Sequence, residues 1–242
     1  LAAFYLLMLP LVGVAMLRRF NPLWLVAIVP SLAVLALTDS MTGWGALVVV
    51  TAIALIHLRR FDYLAWMTLI LIPLGVLALI RFGDSIFFRI EQLMSGQEGR
   101  GTATSRMEIL RISLGLIREY PWLGIGRNNF LDFGQTFYGH AHNLFLMKVI
   151  EMGIPAGLAF FGFIVAAMVR VWRSILFEAR RLSAQQEYYH ALGLWLGCLG
   201  FLAMNLLDYN YSHFSLGPMF MFMLGILLSL SLDLETVGRK AI

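Results

Sequence analysis

In residues 143–172 only Lys148, Glu151 and Arg170 can carry full charge, and most of the remaining side chains are apolar. A helix needs roughly 20 apolar residues to cross about 30 Å of hydrocarbon, so this stretch reads as a membrane span. Six more segments of similar character lie at 2–17, 23–37, 43–57, 63–82, 189–207 and 214–232. The second and third spans are short and suit a tilted pair. Of the 242 residues 60% are hydrophobic and 13% charged, too few charges to cover a soluble domain. The expected fold class is therefore all-α: a polytopic transmembrane helix bundle of about seven spans, with one long external loop. Leu1 stands inside an apolar stretch with no basic segment or cleavage site before it. That stretch is not a signal peptide, and further spans are expected to precede it.

Orientation follows from the junctions. Arg18 and Arg19 follow the first span, Arg59 and Arg60 the third, Arg170 to Arg181 the fifth, and Arg239 with Lys240 the seventh. The junctions at 38–42 and 208–213 hold no lysine or arginine. The positive-inside rule puts the basic junctions in the cytoplasm and Leu1 outside, which implies an odd number of earlier spans. The sequence pI near 9.5 comes from these span ends, so nucleic acid is not an expected partner. Cys198 is the only cysteine, which excludes an intrachain disulfide and a cysteine-based zinc site.

On this plan residues 1–82 carry spans one to four, 83–141 form the external loop, and 142–242 carry spans five to seven and a cytoplasmic tail. Within the loop, Thr104 or Ser105 can cap a helix over about 105–119, with Glu108 in its first turn and Pro121 just beyond its end. Ile109, Ile112 and Leu116 share one face and Arg111 and Arg118 another, the pattern of an amphipathic helix on the membrane surface or against the bundle.

The loop holds six arginines (Arg89, Arg100, Arg106, Arg111, Arg118, Arg127) and no lysine. Guanidinium groups grip phosphate oxygens at two points and keep their charge when partly buried, which suits a lipid-linked diphosphate. Six acidic residues in the same loop leave open a plain solvated surface with ion pairs. His140 and His142 stand where the loop enters the fifth span. An imidazole titrates near 6.5, so it can take a proton from a sugar hydroxyl. The bland alternative is a pair of interfacial residues with their polar tips in water. Asn143 can cap the next helix, hold the His142 ring or bind a sugar hydroxyl.

Lys148 and Glu151 share a helical face and are expected to pair with each other. Asp208 and Tyr211, with Asn205, Tyr209, Asn210 and His213, gather at the external end of spans six and seven. They suit either an acceptor-sugar site or interfacial anchoring. Pro73 and Pro155 are expected to kink or start helical segments. The 13 methionines read as apolar filling. No carboxylate pair has metal-ligand spacing and no glycine loop is built for nucleotide phosphates, so neither metal nor cofactor is expected.

The ordered set Pro121-Trp122-Leu123-Gly124-Ile125-Gly126, Asn129-Phe130, His142-Asn143-Leu144 and Glu151-Met152-Gly153-Ile154-Pro155 resembles the O-antigen ligase and polymerase superfamily. The signature of that superfamily is a P-x-x-G-x-G turn, a variable segment, then H-N, nine residues and a glycine. The resemblance covers residues 104–157 by motif and the rest by hydropathy and topology. It implies that His142 is the essential histidine and that Arg106, in Ser105-Arg106, binds a lipid diphosphate. Ser40-Met41-Thr42-Gly43-Trp44 is similar to the family's S-R-T-G-W sequence, with Met41 where an arginine is expected. Methionine cannot bind phosphate, which leaves Arg100, Arg127 or Arg89 for that part.

The resemblance implies a metal-independent glycosyltransferase of the bacterial inner membrane, its site facing the periplasm or cell exterior. Its donor would be a polyprenyl-diphosphate-linked glycan, and its acceptor a hydroxyl of a glycan, a lipid or a protein. Two other readings stand beside it: a transporter or flippase for lipid-linked sugars, and a non-catalytic family member, which Met41 keeps open. Transporters place ionisable groups near the bilayer midplane, whereas here they gather at one boundary.

Overall fold

The computed structural model of the chain describes residues 2–18, 21, 23–37, 40–59, 103–134, 140–182, 186–206 and 216–240. The regular elements among them are all helical: α1 (Ala2–Arg18), α2 (Leu23–Leu37), α3 (Met41–His57), α4 (Ala103–Glu119), α5 (Phe130–Gly134), α6 (Leu144–Leu182), α7 (Gln186–Asn205) and α8 (Leu216–Lys240). Six of the expected spans therefore appear as helices at the expected places, and the segment at 63–82 lies outside the described residues. Helices suit such apolar segments because each backbone polar group finds its partner within the segment, which lipid demands. Among the described residues one stretch, Leu144–Ile175, is long and apolar enough to cross a membrane alone. Ala2–Met16, Val26–Leu35, Thr42–His57 and Leu216–Leu232 are shorter apolar helices.

The chain divides into two compact units. The first comprises Leu1–Ala54, Asn143–Phe145 and Gly157–Ile242; the second comprises Leu55–His142 and Leu146–Ala156. In the first, α1 packs along α7, and α8 lies against α7. The α1–α7 contact depends on Gly193 and Gly197, four residues apart on one face of α7. A Cβ on Gly193 would come within 2.7 Å of the Leu11 Cα, and one on Gly197 within 2.3 Å of the Leu7 carbonyl oxygen. Small residues at the contact let the two backbones approach closely and gain dispersion attraction along its length. Aromatic stacking adds to it. Phe201 stacks on Phe220 with centroids 5.1 Å apart, and Trp172 on Trp195 at 4.5 Å. The Trp195 indole N–H donates to the Met168 carbonyl at 2.9 Å, so its polar atom is satisfied inside the packing.

The S-x-T-G segment has a local structural explanation. Ser40 caps α3: its Oγ accepts from the Gly43 N–H at 3.1 Å, and its carbonyl accepts from the Trp44 N–H at 3.1 Å. A Cβ on Gly43 would stand 3.0 Å from that Oγ and 3.3 Å from both Ala2 and Leu35, so glycine keeps the cap seated.

Candidate functional site

In the second unit α4 buries Ile109, Ser113 and Leu116 and leaves Arg106, Arg111 and Arg118 exposed. The expected two faces are present, with Ser113 added to the buried one. The Ser113 hydroxyl is satisfied by donating to the Ile109 carbonyl at 2.7 Å. After Glu119 the helix closes with Tyr120 N–H on the Leu116 carbonyl, and Pro121 opens a turn. A hydrogen bond to the Glu119 carboxylate, more than burial, holds the Tyr120 phenol above its ordinary range.

The turn at 121–126 docks on a break in α6. Gly153 adopts φ 80° and ψ 166°, a backbone region essentially reserved for glycine, which interrupts the helix between Met152 and Ile154. In an unbroken helix the Ile150 carbonyl would accept from Ile154 N–H and the Glu151 carbonyl from residue 155. Residue 155 is proline and has no N–H. The break thus orphans two carbonyls and one N–H, and the turn satisfies all three. Ile125 N–H donates to the Ile150 carbonyl at 2.9 Å, Gly126 N–H to the Glu151 carbonyl at 3.0 Å, and Ile154 N–H to the Pro121 carbonyl at 2.7 Å. This exchange gives a physical reason for a P-x-x-G-x-G turn paired with a glycine ten residues after Asn143.

Beyond the turn, the Asn129 side-chain amide donates to the Ile125 carbonyl at 2.7 Å, and α5 folds back so that Phe133 meets Tyr120 edge-on at 5.3 Å. Phe130 is fully buried beneath. Arg127 projects exposed between Gly126 and Asn128.

Just before α6 the half-buried His140 and His142 rings lie with centroids 4.3 Å apart, tilted by 40°. His142 has φ 48°, in the left-handed region that a non-glycine residue enters at a cost of about 1–3 kcal/mol. In the first unit the Asn143 side-chain amide donates to the Leu206 carbonyl at 2.7 Å, just past the end of α7. Carbonyls at a helix C-terminus lack an intrahelical partner, and this bond ties the first residue before α6 to one of them. The sequence offered capping, ring support or sugar binding for Asn143; tethering to Leu206 was not among them. Lys148 and Glu151 form the expected pair, Nζ to Oε2 at 2.5 Å, with both side chains buried.

The structure therefore brings His140 and His142 together and sets Arg106 and Arg127 on exposed positions of the same unit. Arg89, Arg100, Asp208 and Tyr211 lie outside the described residues. A family model described as O-antigen ligase matches residues 25–161, more than half of the chain. The chain belongs to the O-antigen ligase family. No curated protein matches it. For this O-antigen ligase family member, membership means a membrane-integral protein with glycosyltransferase-type activity, using a lipid-linked glycan and an acceptor. The matched span holds the Ser40 cap, the turn at 121–126, the histidine pair and the Gly153 break. The lock between turn and break went unseen in sequence because each half reads as ordinary punctuation. Its signal was the pairing of a missing N–H at Pro155 with the glycine at 153.

Proposed function

We propose that the protein transfers a polyprenyl-diphosphate-linked glycan to an acceptor hydroxyl at the external face of the bacterial inner membrane, as a ligase or polymerase. The observation that carries this reading is the His142 ring, held beside His140 on a strained backbone at the entry to α6. Strain of this kind persists where surrounding structure over-determines it, and such sites are often functional. On this reading the chain is multi-pass, with seven spans, and residues 83–141 face outward.

His142 takes the proton as the acceptor oxygen attacks the anomeric carbon of the donor glycan. The new bond joins that carbon to the acceptor oxygen, and the bond to the diphosphate oxygen breaks. Negative charge grows on the departing diphosphate, where Arg106 and a second arginine (Arg127, Arg100 or Arg89) hold it. Preorganised donors aimed at developing charge act mainly on the transition state, and one such donor contributes about 3 kcal/mol. His140 and Asn143 orient His142 or the acceptor, while Asp208 and Tyr211 line the acceptor side. The activated donor supplies the driving force, so the step draws on no nucleotide and no metal.

Purified protein in detergent, given lipid-linked donor and an acceptor hydroxyl, should form the glycosidic bond. A flippase needs two leaflets and would leave both substrates unchanged in detergent. Absence of product with a full-length, folded protein would overturn the transfer reading.

A further inference from the structure

The lock between turn and break holds two apolar side chains outward. The turn belongs to a membrane-integral chain and docks on Gly153. The Trp122 backbone touches it: a Cβ on Gly153 would fall 2.2 Å from the Trp122 carbonyl oxygen. Trp122 and the next residue, Leu123, are nonetheless 76% and 87% exposed. A turn held by three backbone hydrogen bonds thus presents a large aromatic and a leucine outward.

We infer that Trp122 and Leu123 form a membrane anchor, seated among the headgroups and upper acyl chains of the leaflet next to the histidine pair. Trp is the residue most at home there, its indole body apolar and its N–H wet. The helix leading into the turn fits the same surroundings. α4 keeps Met107, Leu110 and Leu114 exposed on a face shared with Arg111 and Arg118, while Glu108 and Glu119 fall toward its other edge. Apolar side chains interleaved with arginine suit anionic lipid phosphates. Lipid is favoured over a soluble partner because the chain is membrane-integral and the exposed tip follows a helix face that mixes apolar side chains with arginine. The inference needs only that the chain is membrane-integral, not that it transfers glycan.

The test uses full-length protein in nanodiscs of phosphatidylethanolamine and phosphatidylglycerol, with a nitroxide on Leu123→Cys. Cys198 is fully buried and stays unlabelled. The label should collide freely with oxygen and poorly with a water-soluble nickel chelate, the reverse of a label on Arg127→Cys. Nickel access equal to that at Arg127 would overturn the anchor, and so would shielding from both reagents, which would mean a protein or glycan covers the tip. As a check free of labels, brominated lipid should quench more tryptophan fluorescence in the unmodified protein than in Trp122→Phe. Equal quenching would contradict the inference.

Discussion

Gly124 and Gly153 exclude side chains on one another's behalf. A Cβ on Gly124 would stand 2.6 Å from the Gly153 nitrogen and 2.5 Å from the Ile150 carbonyl oxygen; one on Gly153 would stand 2.2 Å from the Trp122 carbonyl oxygen. Both also hold positive φ, 68° and 80°. Two backbones meet there with no room between them, and no flexible side chain is available to move aside.

Gly153→Ala should therefore cost at least about 2 kcal/mol, through backbone strain and overlap with the Trp122 carbonyl. Thermal unfolding of the detergent-solubilised protein reads this directly. An unchanged midpoint would mean the turn is not locked to the break.

Pro155→Ala restores an N–H that competes with Gly126 for the Glu151 carbonyl. Hydrogen exchange at the Gly126 amide should speed up while the fold persists, since losing a proline from a position that accommodates it costs only about 0.4–1 kcal/mol. Unaltered protection at Gly126 would show that the missing donor is not what recruits the turn.

The Lys148–Glu151 pair is buried, so removing one member takes from the other a close opposite charge where water compensates poorly. Glu151→Ala should destabilise by about 3–5 kcal/mol, whereas the double change Lys148→Met with Glu151→Leu should cost much less. A double-mutant cycle on unfolding gives the coupling. Additive losses would mean that each residue is held by other neighbours.

Gly197→Leu should push α1 from α7 and cost about 1–3 kcal/mol or more, because the obstacle is the Leu7 carbonyl rather than a movable side chain. Hydrogen exchange along α1 and α7 should rise together. A change confined to α7 would contradict close packing of the pair.

Much of this architecture was legible in the sequence, because lipid imposes a coarse rule: apolar runs become helices, and arginines mark their ends. The helices at 2–18, 23–37 and 144–182 follow from it, as does the two-faced α4. What one-dimensional reading missed are relations between distant backbones. Gly193 and Gly197 look like ordinary apolar filling until α1 lies against them. Pro155 promised a kink, but not that residues 121–126 would supply the bonds it removes. Asn143 carried three possible roles, and its bond to Leu206 depends on where α7 ends, which no local pattern encodes. The histidine pair was visible only as spacing. Its ring contact and the left-handed backbone of His142 required coordinates.

The central claim concerns proton transfer at His142, and single-turnover glycan transfer by His142→Ala tests it most directly. Donor binding should persist while the transfer rate falls about 10²–10⁴-fold, the usual contribution of a positioned base. Transfer at the unaltered rate, with donor bound equally well, would contradict the account.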